Sequence, residues 1–352
     1  MMEAMQPIDE RYSRQILFPG IGREGQLRLA ASRIAIVGCG ATGSVLASLL
    51  VRAGVGYLRI IDRDYIEPSN LQRQVLFDER DAADSLPKAI AACRKLQQVN
   101  SSVTVEPHVE DLTPTNCEDL LEATDLILDG TDNFETRYLL NEYAVREHRP
   151  WIYTAAVGSY GVTMNVLPPD VPPPSAAPQS ACLACVFPQP PTGPTETCDT
   201  GGILNSAVNL IASVAVTEAL KWMVGAHSAM RRTLLSYDAW HNDHAEIRAA
   251  QPRPDCTVCG QRQFPYLAGR AHPHISLCGR NSVQIHERHR PINFAELEAR
   301  LAPHGEVRYT EYVLKFVRPP FELTLFPDGR AIIKGTTDTG VARSFYARFI
   351  GS

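Results

Sequence analysis

The sequence predicts an α/β protein: a Rossmann-like, doubly wound, mostly parallel sheet with zinc-stapled loops, followed by a small C-terminal α+β module. Three observations predict it. Apolar runs at 34–37, 57–61, 103–105, 126–128 and 151–153 alternate with helical stretches, the pattern of parallel strands joined by crossover helices. The first run ends in Gly38, Gly40 and Gly43, in G-x-G-x-x-G spacing. Beyond about residue 270 the alternation gives way to short strands and short helices. The expected division is therefore 1–268 and 269–352.

Composition bounds the reading. At 352 residues and 44% hydrophobic, the chain can bury a large core and something smaller beside it. A net charge of −5 gives no electrostatic case for nucleic acid or an anionic membrane. No apolar run approaches a membrane span, and Met1 to Glu10 lack the apolar core of a signal peptide. Nine cysteines are an odd number for a disulfide scaffold, and four sit in Cys-x-x-Cys pairs, so a reducing cytoplasm is expected.

Taken in order, residues 8–30 offer Arg11, Arg14 and a helix over Gly25 to Ala31. By spacing alone Arg14 is an ordinary solvated arginine. The run Ile34 to Val37 then enters the glycine turn, and Ser44 to Ala53 reads as a helix with Val45, Leu46, Leu49 and Leu50 apolar. Strand, glycine turn and helix make a phosphate site, because backbone N–H groups and the positive helix end face the anion. The strand Tyr57 to Ile61 delivers Asp62, a carboxylate suited to ribose hydroxyls. These residues leave NAD, FAD, ATP and a purely structural turn open.

The next residues narrow the choice. Asp64 completes an Asp-x-Asp pair, Asn70, Arg73 and Gln74 follow, and Lys88 opens a helix running to Val99. A cation in a first turn works against the helix dipole and suits a phosphate ligand; the bland alternative is a surface lysine. Asp132 and Asn133 follow the run 126–128, at the sheet face where such folds bind ligands. This many charged groups exceed the needs of a pyrophosphate site and suit cleavage of a nucleoside triphosphate with Mg²⁺. Asp132 is assigned to magnesium and Asp129 to structure. Arg137, on a helix over Phe134 to Arg146, reads as solvated.

Strands at Trp151 to Ala155 and Val162 to Leu167 continue the sheet. Ten of the 26 prolines then fall between Pro168 and Pro194, and a mobile surface loop is expected there. It carries Cys182 and Cys185; the partner pair is Cys256 and Cys259. Four thiolates suit a closed tetrahedral zinc site of structural kind, with a pair of redox dithiols as the alternative. Cys198 precedes a helix over Asn205 to Val224. It reads as either a thiolate-prone nucleophile or a spectator, since Asp199 beside it opposes ionisation. Leu234 to Asp238 and Ala245 to Arg248 are expected edge strands, with His241 and His244 as surface residues. In the C-terminal module, strands are expected at Ser282 to His286, Tyr312 to Val317, Phe321 to Phe326 and Ala331 to Lys334. Helices are expected at Asn293 to Leu301 and Gly340 to Phe349.

Over roughly residues 8–265 the ordered set resembles the MoeB/ThiF family, relatives of the ubiquitin-activating enzymes. The set is Arg11-Tyr-Ser-Arg14-Gln15, the Gly38 loop, Asp62-x-Asp64, Asn70 to Gln74, Lys88, Asp129-Gly-Thr-Asp132-Asn133, both Cys-x-x-Cys pairs and Cys198. The resemblance implies ATP-dependent adenylylation of the C-terminal glycine carboxylate of a ubiquitin-like sulfur carrier of ThiS or MoaD type. It implies a homodimer in which Arg14 reaches the partner subunit's ATP site. Catalysis would fall to Arg14, Arg73, Lys88, Asp132 and Cys198. Gly38, Gly40, Gly43, Asp62, Asp64, Asn70, Gln74 and Asn133 would hold nucleotide. The C-terminal module resembles that of longer thiazole-biosynthesis adenylyltransferases. It lacks a rhodanese loop at Cys278, so a separate persulfide donor is expected. The rivals are an NAD-dependent oxidoreductase and a catalytically inactive scaffold relative.

Overall fold

The computed structural model describes residues 10–168, 179–190, 201–270, 282–285, 292–327 and 329–351. The chain divides into two compact units, Met1–Ala271 and His272–Ser352.

The first unit is built on one sheet. Its strands are β1 (Arg33–Val37), β2 (Tyr57–Ile61), β3 (Thr104–His108), β4 (Leu126–Asp129), β5 (Trp151–Val157), β6 (Tyr160–Val166), β7 (Thr233–Asp238) and β8 (Asp243–Arg248). Their order is β3-β2-β1-β4-β5-β6-β7-β8. Neighbours from β3 through β5 run parallel, and β6 to β8 are added antiparallel as a meander. Strand β1 lies at the reversal of order, with β2 on one side and β4 on the other. Ligands of doubly wound sheets bind outside the carboxyl ends of the strands at such a switch point.

Both faces are covered, and β1 shows why its run is continuously apolar. Ile34 and Ile36 join the core beneath the helices Ala41–Ala53, Lys88–Val99 and Asn205–Val224. Ala35 and Val37 join the opposite core, with Leu139, Tyr143, Trp151 and the cysteine-bearing segments. Helix Asn205–Val224 is 20 residues long, with mean hydropathy 1.4, long and apolar enough by composition to cross a membrane. In the fold it packs on β5, β6 and the Ala41–Ala53 helix, and it buries Glu218 against Asn165 and Lys221. A buried core helix accounts for its composition.

The second unit is a five-stranded antiparallel sheet, β9 (Ser282–Ile285), β10 (Glu306–Tyr309), β11 (Leu314–Arg318), β12 (Phe321–Leu325) and β13 (Ala331–Lys334), in order β10-β11-β12-β13-β9. Helices Phe294–Leu301 and Thr339–Phe349 supply Phe294, Leu297, Phe345 and Phe349 to a core with Phe316, Leu323 and Ile333. This is the expected α+β module.

Several short elements escape sequence reading, among them helices Ser13–Ile16, Glu79–Ala83, Cys117–Leu121 and Leu183–Val186, and strand β10. Helix Glu79–Ala83 is set by a cap rather than by periodicity, since Asp78 Oδ1 accepts from Arg80 N and Asp81 N at 3.0 and 3.1 Å. The expectation of a mobile surface loop also needs correction around the first cysteine pair. Cys182 to Cys185 are buried, and Leu183–Val186 form a helical turn fixed by a hydrogen bond from Leu183 N to Asn141 Oδ1 at 2.8 Å. The prolines flank that turn and do not enter it.

Candidate active site

The glycine turn is packed from two directions. Gly38 has φ +86° and donates its N–H to Ile61 O at 2.7 Å. A Cβ on Gly43 would stand 1.9 Å from Gly38 O, and one on Gly130 would stand 2.2 Å from the same oxygen. Three glycines thus press the end of β1, the start of helix Ala41–Ala53 and the turn after β4 together. Gly40 differs: its nearest neighbour would be Gln74 Nε2 at 3.7 Å. Gly40 is the N-cap of that helix, and no side chain caps its first N–H groups, the geometry of an anion site. Cys39, inside the turn, is fully buried; burial and then Asp62 push its thiol pKa well up, so it is no nucleophile.

Asp62 does something other than face open solvent. Its Oδ2 accepts from Cys39 N at 2.6 Å and its Oδ1 from Asp64 N at 2.7 Å. The carboxylate ties the glycine turn to the end of β2. Burial raises its pKa to about 6 against the pull of Lys88. Lys88, only 7% exposed, donates through Nζ to Asp64 Oδ2 at 2.9 Å and through its backbone N to Asp64 O at 2.8 Å. Burial alone would lower the ammonium pKa; Asp64, Asp62 and Asp132 outweigh it, so the cation is held. Asp132 itself is exposed at the end of β4.

The remaining sequence-derived residues divide. Gln74 is buried, faces Gly40, and its Oε1 has no hydrogen-bond partner among the described residues. Arg73, half-buried, donates to Ser69 O at 2.8 Å. Asn70 Oδ1 is taken by Glu67 N at 3.0 Å, closing a capping box, and Asn133 caps helix Phe134–Arg146 by accepting from Thr136 N at 2.8 Å. Arg14 is exposed on the short helix Ser13–Ile16. Cys198 lies outside the described residues, as do Asp199 and Cys278.

Arg137 needs correction: it is 5% exposed, not solvated. It pairs with Asp129, which is completely buried, at 3.1 Å, and also donates to Thr131 O at 2.6 Å. Burial pushes the Asp129 carboxyl up, with Arg137 opposing. The signal was present in the sequence. Helix Phe134–Arg146 carries apolar residues on every side, and a helix buried all round buries its arginine too.

On the opposite face of the sheet from the Ala41–Ala53 helix, Cys182, Cys185, Cys256 and Cys259 converge, their sulfurs all within 4.8 Å of one another. Neighbouring sulfurs lie at 3.3, 3.6 and 3.8 Å. Tetrahedral zinc with bonds of about 2.3 Å separates its sulfurs by about 3.8 Å, so the four fit that ion. Hydrogen bonding within the cluster draws two of the thiols toward the thiolate form: Cys185, which Cys182 and Cys259 hold below the usual thiol range, and Cys256, which is lowered to about 6.

The model of the ThiF family matches residues 12–258. The chain belongs to the ThiF family. Within the family it is 43% identical over 347 residues to the sulfur carrier protein ThiS adenylyltransferase of Bacillus subtilis, covering 97% of this chain and 99% of that protein, so the likeness includes the second unit. It is 34% identical to the sulfur carrier protein adenylyltransferase of Thermus thermophilus, covering 71% of this chain and 90% of that protein. It is 38% identical to the adenylyltransferase and sulfurtransferase MOCS3 of Bos taurus, where the match spans 72% of this chain and 53% of that protein. Among solved structures, E. coli MccB with ATP shares the fold at TM-score 0.60 and 23% identity, over 71% of this chain and 74% of that one.

Proposed function

We propose that this ThiF-family chain adenylylates the C-terminal glycine carboxylate of a ubiquitin-like sulfur carrier of ThiS type with ATP. Pyrophosphate leaves, and the carrier is ready for thiocarboxylate formation by a separate persulfide donor. The observation that carries the reading is the gathering of Lys88, Asp64, Asp62 and Asp132 at the carboxyl ends of β1, β2 and β4, beside an uncapped helix N-terminus. A dinucleotide dehydrogenase would use the glycine turn and leave that charge cluster without work. The full-length likeness to an adenylyltransferase points the same way.

The chemistry follows from charge. A carrier carboxylate oxygen attacks the α-phosphorus, the bond to the β-phosphate oxygen breaks, and pyrophosphate departs with the electron pair. The nucleophile is already ionised, so no general base is needed. Repulsion between carboxylate and triphosphate is the obstacle, and Lys88, Arg73 and an Arg14 supplied by a second copy of the chain would offset it. One carboxylate plus substrate phosphates is a donor set that suits Mg²⁺; Asp132 would hold it, and the ion would neutralise charge on the departing oxygens. The uncapped N–H groups after Gly40 would meet phosphate, and Gln74 lies beside them. The four cysteines would hold a structural zinc ion. In the described residues no cysteine is in a disulfide, in keeping with work in a reducing cytoplasm.

The test is carrier-dependent ATP–pyrophosphate exchange, with mass spectrometry for the carrier adenylate. Wild-type chain should exchange, and Asp132→Ala should reduce exchange by at least about a hundred-fold. Exchange at wild-type rate in Asp132→Ala, or none with any ThiS-type carrier, would overturn the reading.

A further inference from the structure

Arg137 makes two contacts that bracket one turn. Its Nε donates to Asp129 Oδ2 at 3.1 Å, and a terminal nitrogen donates to Thr131 O at 2.6 Å. Asp129 Oδ1 in turn accepts from Thr131 N and Thr131 Oγ1 at 2.8 and 2.7 Å. Between them, Gly130 N donates to Val37 O at 2.8 Å, and its Cα is pressed against Gly38 and Gly43. The polar groups of residues 129–131 are thereby tied from several directions, and the next residue is Asp132. The guanidinium is itself held in place: Phe134 and Tyr153 lie with ring centres 5.5 and 5.3 Å from its carbon.

We propose that Arg137 is a positioning residue: by fixing the Thr131 carbonyl it sets the direction in which the Asp132 carboxylate meets a metal–triphosphate. This rests on the adenylylation reading and names a residue that reading did not use. A buried ion pair with Asp129 alone would need only one arm of the guanidinium. The second arm ends on the backbone one residue before the exposed carboxylate, where a small rotation of the peptide would swing Asp132. Lysine keeps the charge but is a single point donor, so it cannot make both contacts in the same plane.

The experiment compares ATP binding by calorimetry, with and without Mg²⁺, in the full chain and in Arg137→Lys. Metal dependence of exchange is followed in parallel. Removing one partner of a buried pair can unfold a protein, so the double variant Asp129→Asn with Arg137→Gln, which removes both charges together, stands beside it. The expected result is metal-free ATP affinity close to wild type, with the Mg²⁺ concentration for half-saturation raised about ten-fold in both variants. Variants that melt earlier yet respond to Mg²⁺ as the wild type does would overturn the positioning role and leave Arg137 a packing residue. Wild-type chain that neither binds ATP nor exchanges would sink the adenylylation reading first, and this inference with it, before any variant is compared.

Discussion

Gly43 and Gly40 differ by three positions and by the kind of demand placed on them. A methyl group at Gly43 would run into the Gly38 carbonyl, which cannot move because Gly130 backs it. Gly40 has room: a Cβ there would meet nothing closer than Gln74 Nε2 at 3.7 Å. Gly43→Ala should therefore lower the melting temperature by several degrees, while Gly40→Ala should melt within about 2 °C of wild type and lose ATP affinity at least ten-fold. Calorimetry on both variants checks the split; equal melting losses would show that the two glycines serve one purpose. The spacing made all three glycines legible in the sequence but gave them one role. Asp62 shows the same limit. Its position after β2 was readable; that both its oxygens would be taken by backbone N–H groups was not, because residue type says nothing of which donors the turn leaves over. Gly130 was visible only as part of a motif, since its close approach to Gly38 joins segments about ninety residues apart in the chain.

The bounds expected for helix Phe134–Arg146 match the fold, although Asn133, expected as a nucleotide ligand, is its N-cap. Its contacts were not legible. Tyr138 stacks on Tyr266 and donates to Phe187 O at 2.7 Å, Asn141 receives Leu183 N, and Glu142 receives Leu267 N at 2.9 Å. The helix thus holds segments adjoining both cysteine pairs. Chelation should release about one zinc ion per chain and lower the melting temperature by more than 10 °C, followed by metal analysis and scanning calorimetry. Retention of wild-type melting after chelation would mean that packing alone keeps these segments in place. Glu142 adds a pH signature. Burial raises its pKa from 4.5 to about 7, with Leu267 N–H opposing. The folded state therefore binds the proton more tightly than the unfolded one, and stability falls as pH rises from 4.5 to 7, then levels. Glu142→Gln can keep the Leu267 hydrogen bond and should gain on the order of 2 kcal/mol at pH 8, with a flatter stability profile below it. An unchanged slope across that window would assign the effect elsewhere.

At the scale of the molecule, the alternation of apolar runs made the parallel half of the sheet legible, while the order of its strands came only with the fold. Strand β1 sits between β2 and β4, and that placement brings Val37 beside Asp129 and Gly38 against Gly130. The proposed homodimer has support at the surface: Leu17 and Phe18 are 73% and 62% exposed, close in sequence to Arg14. Mixing inactive Arg14→Ala and Asp132→Ala chains should restore about one quarter of wild-type exchange, because half of the dimers would each hold one intact shared site. No recovery after subunit exchange would place Arg14 in the site of its own chain. The helix that clasps the cysteine segments through Tyr138, Asn141 and Glu142 also carries Arg137 within about one turn of them, so one rigid rod meets both regions. If zinc occupies the cysteine cluster and Arg137 acts as proposed, withdrawing the ion loosens the same helix that steadies Asp132, and nucleotide loading weakens together with the fold.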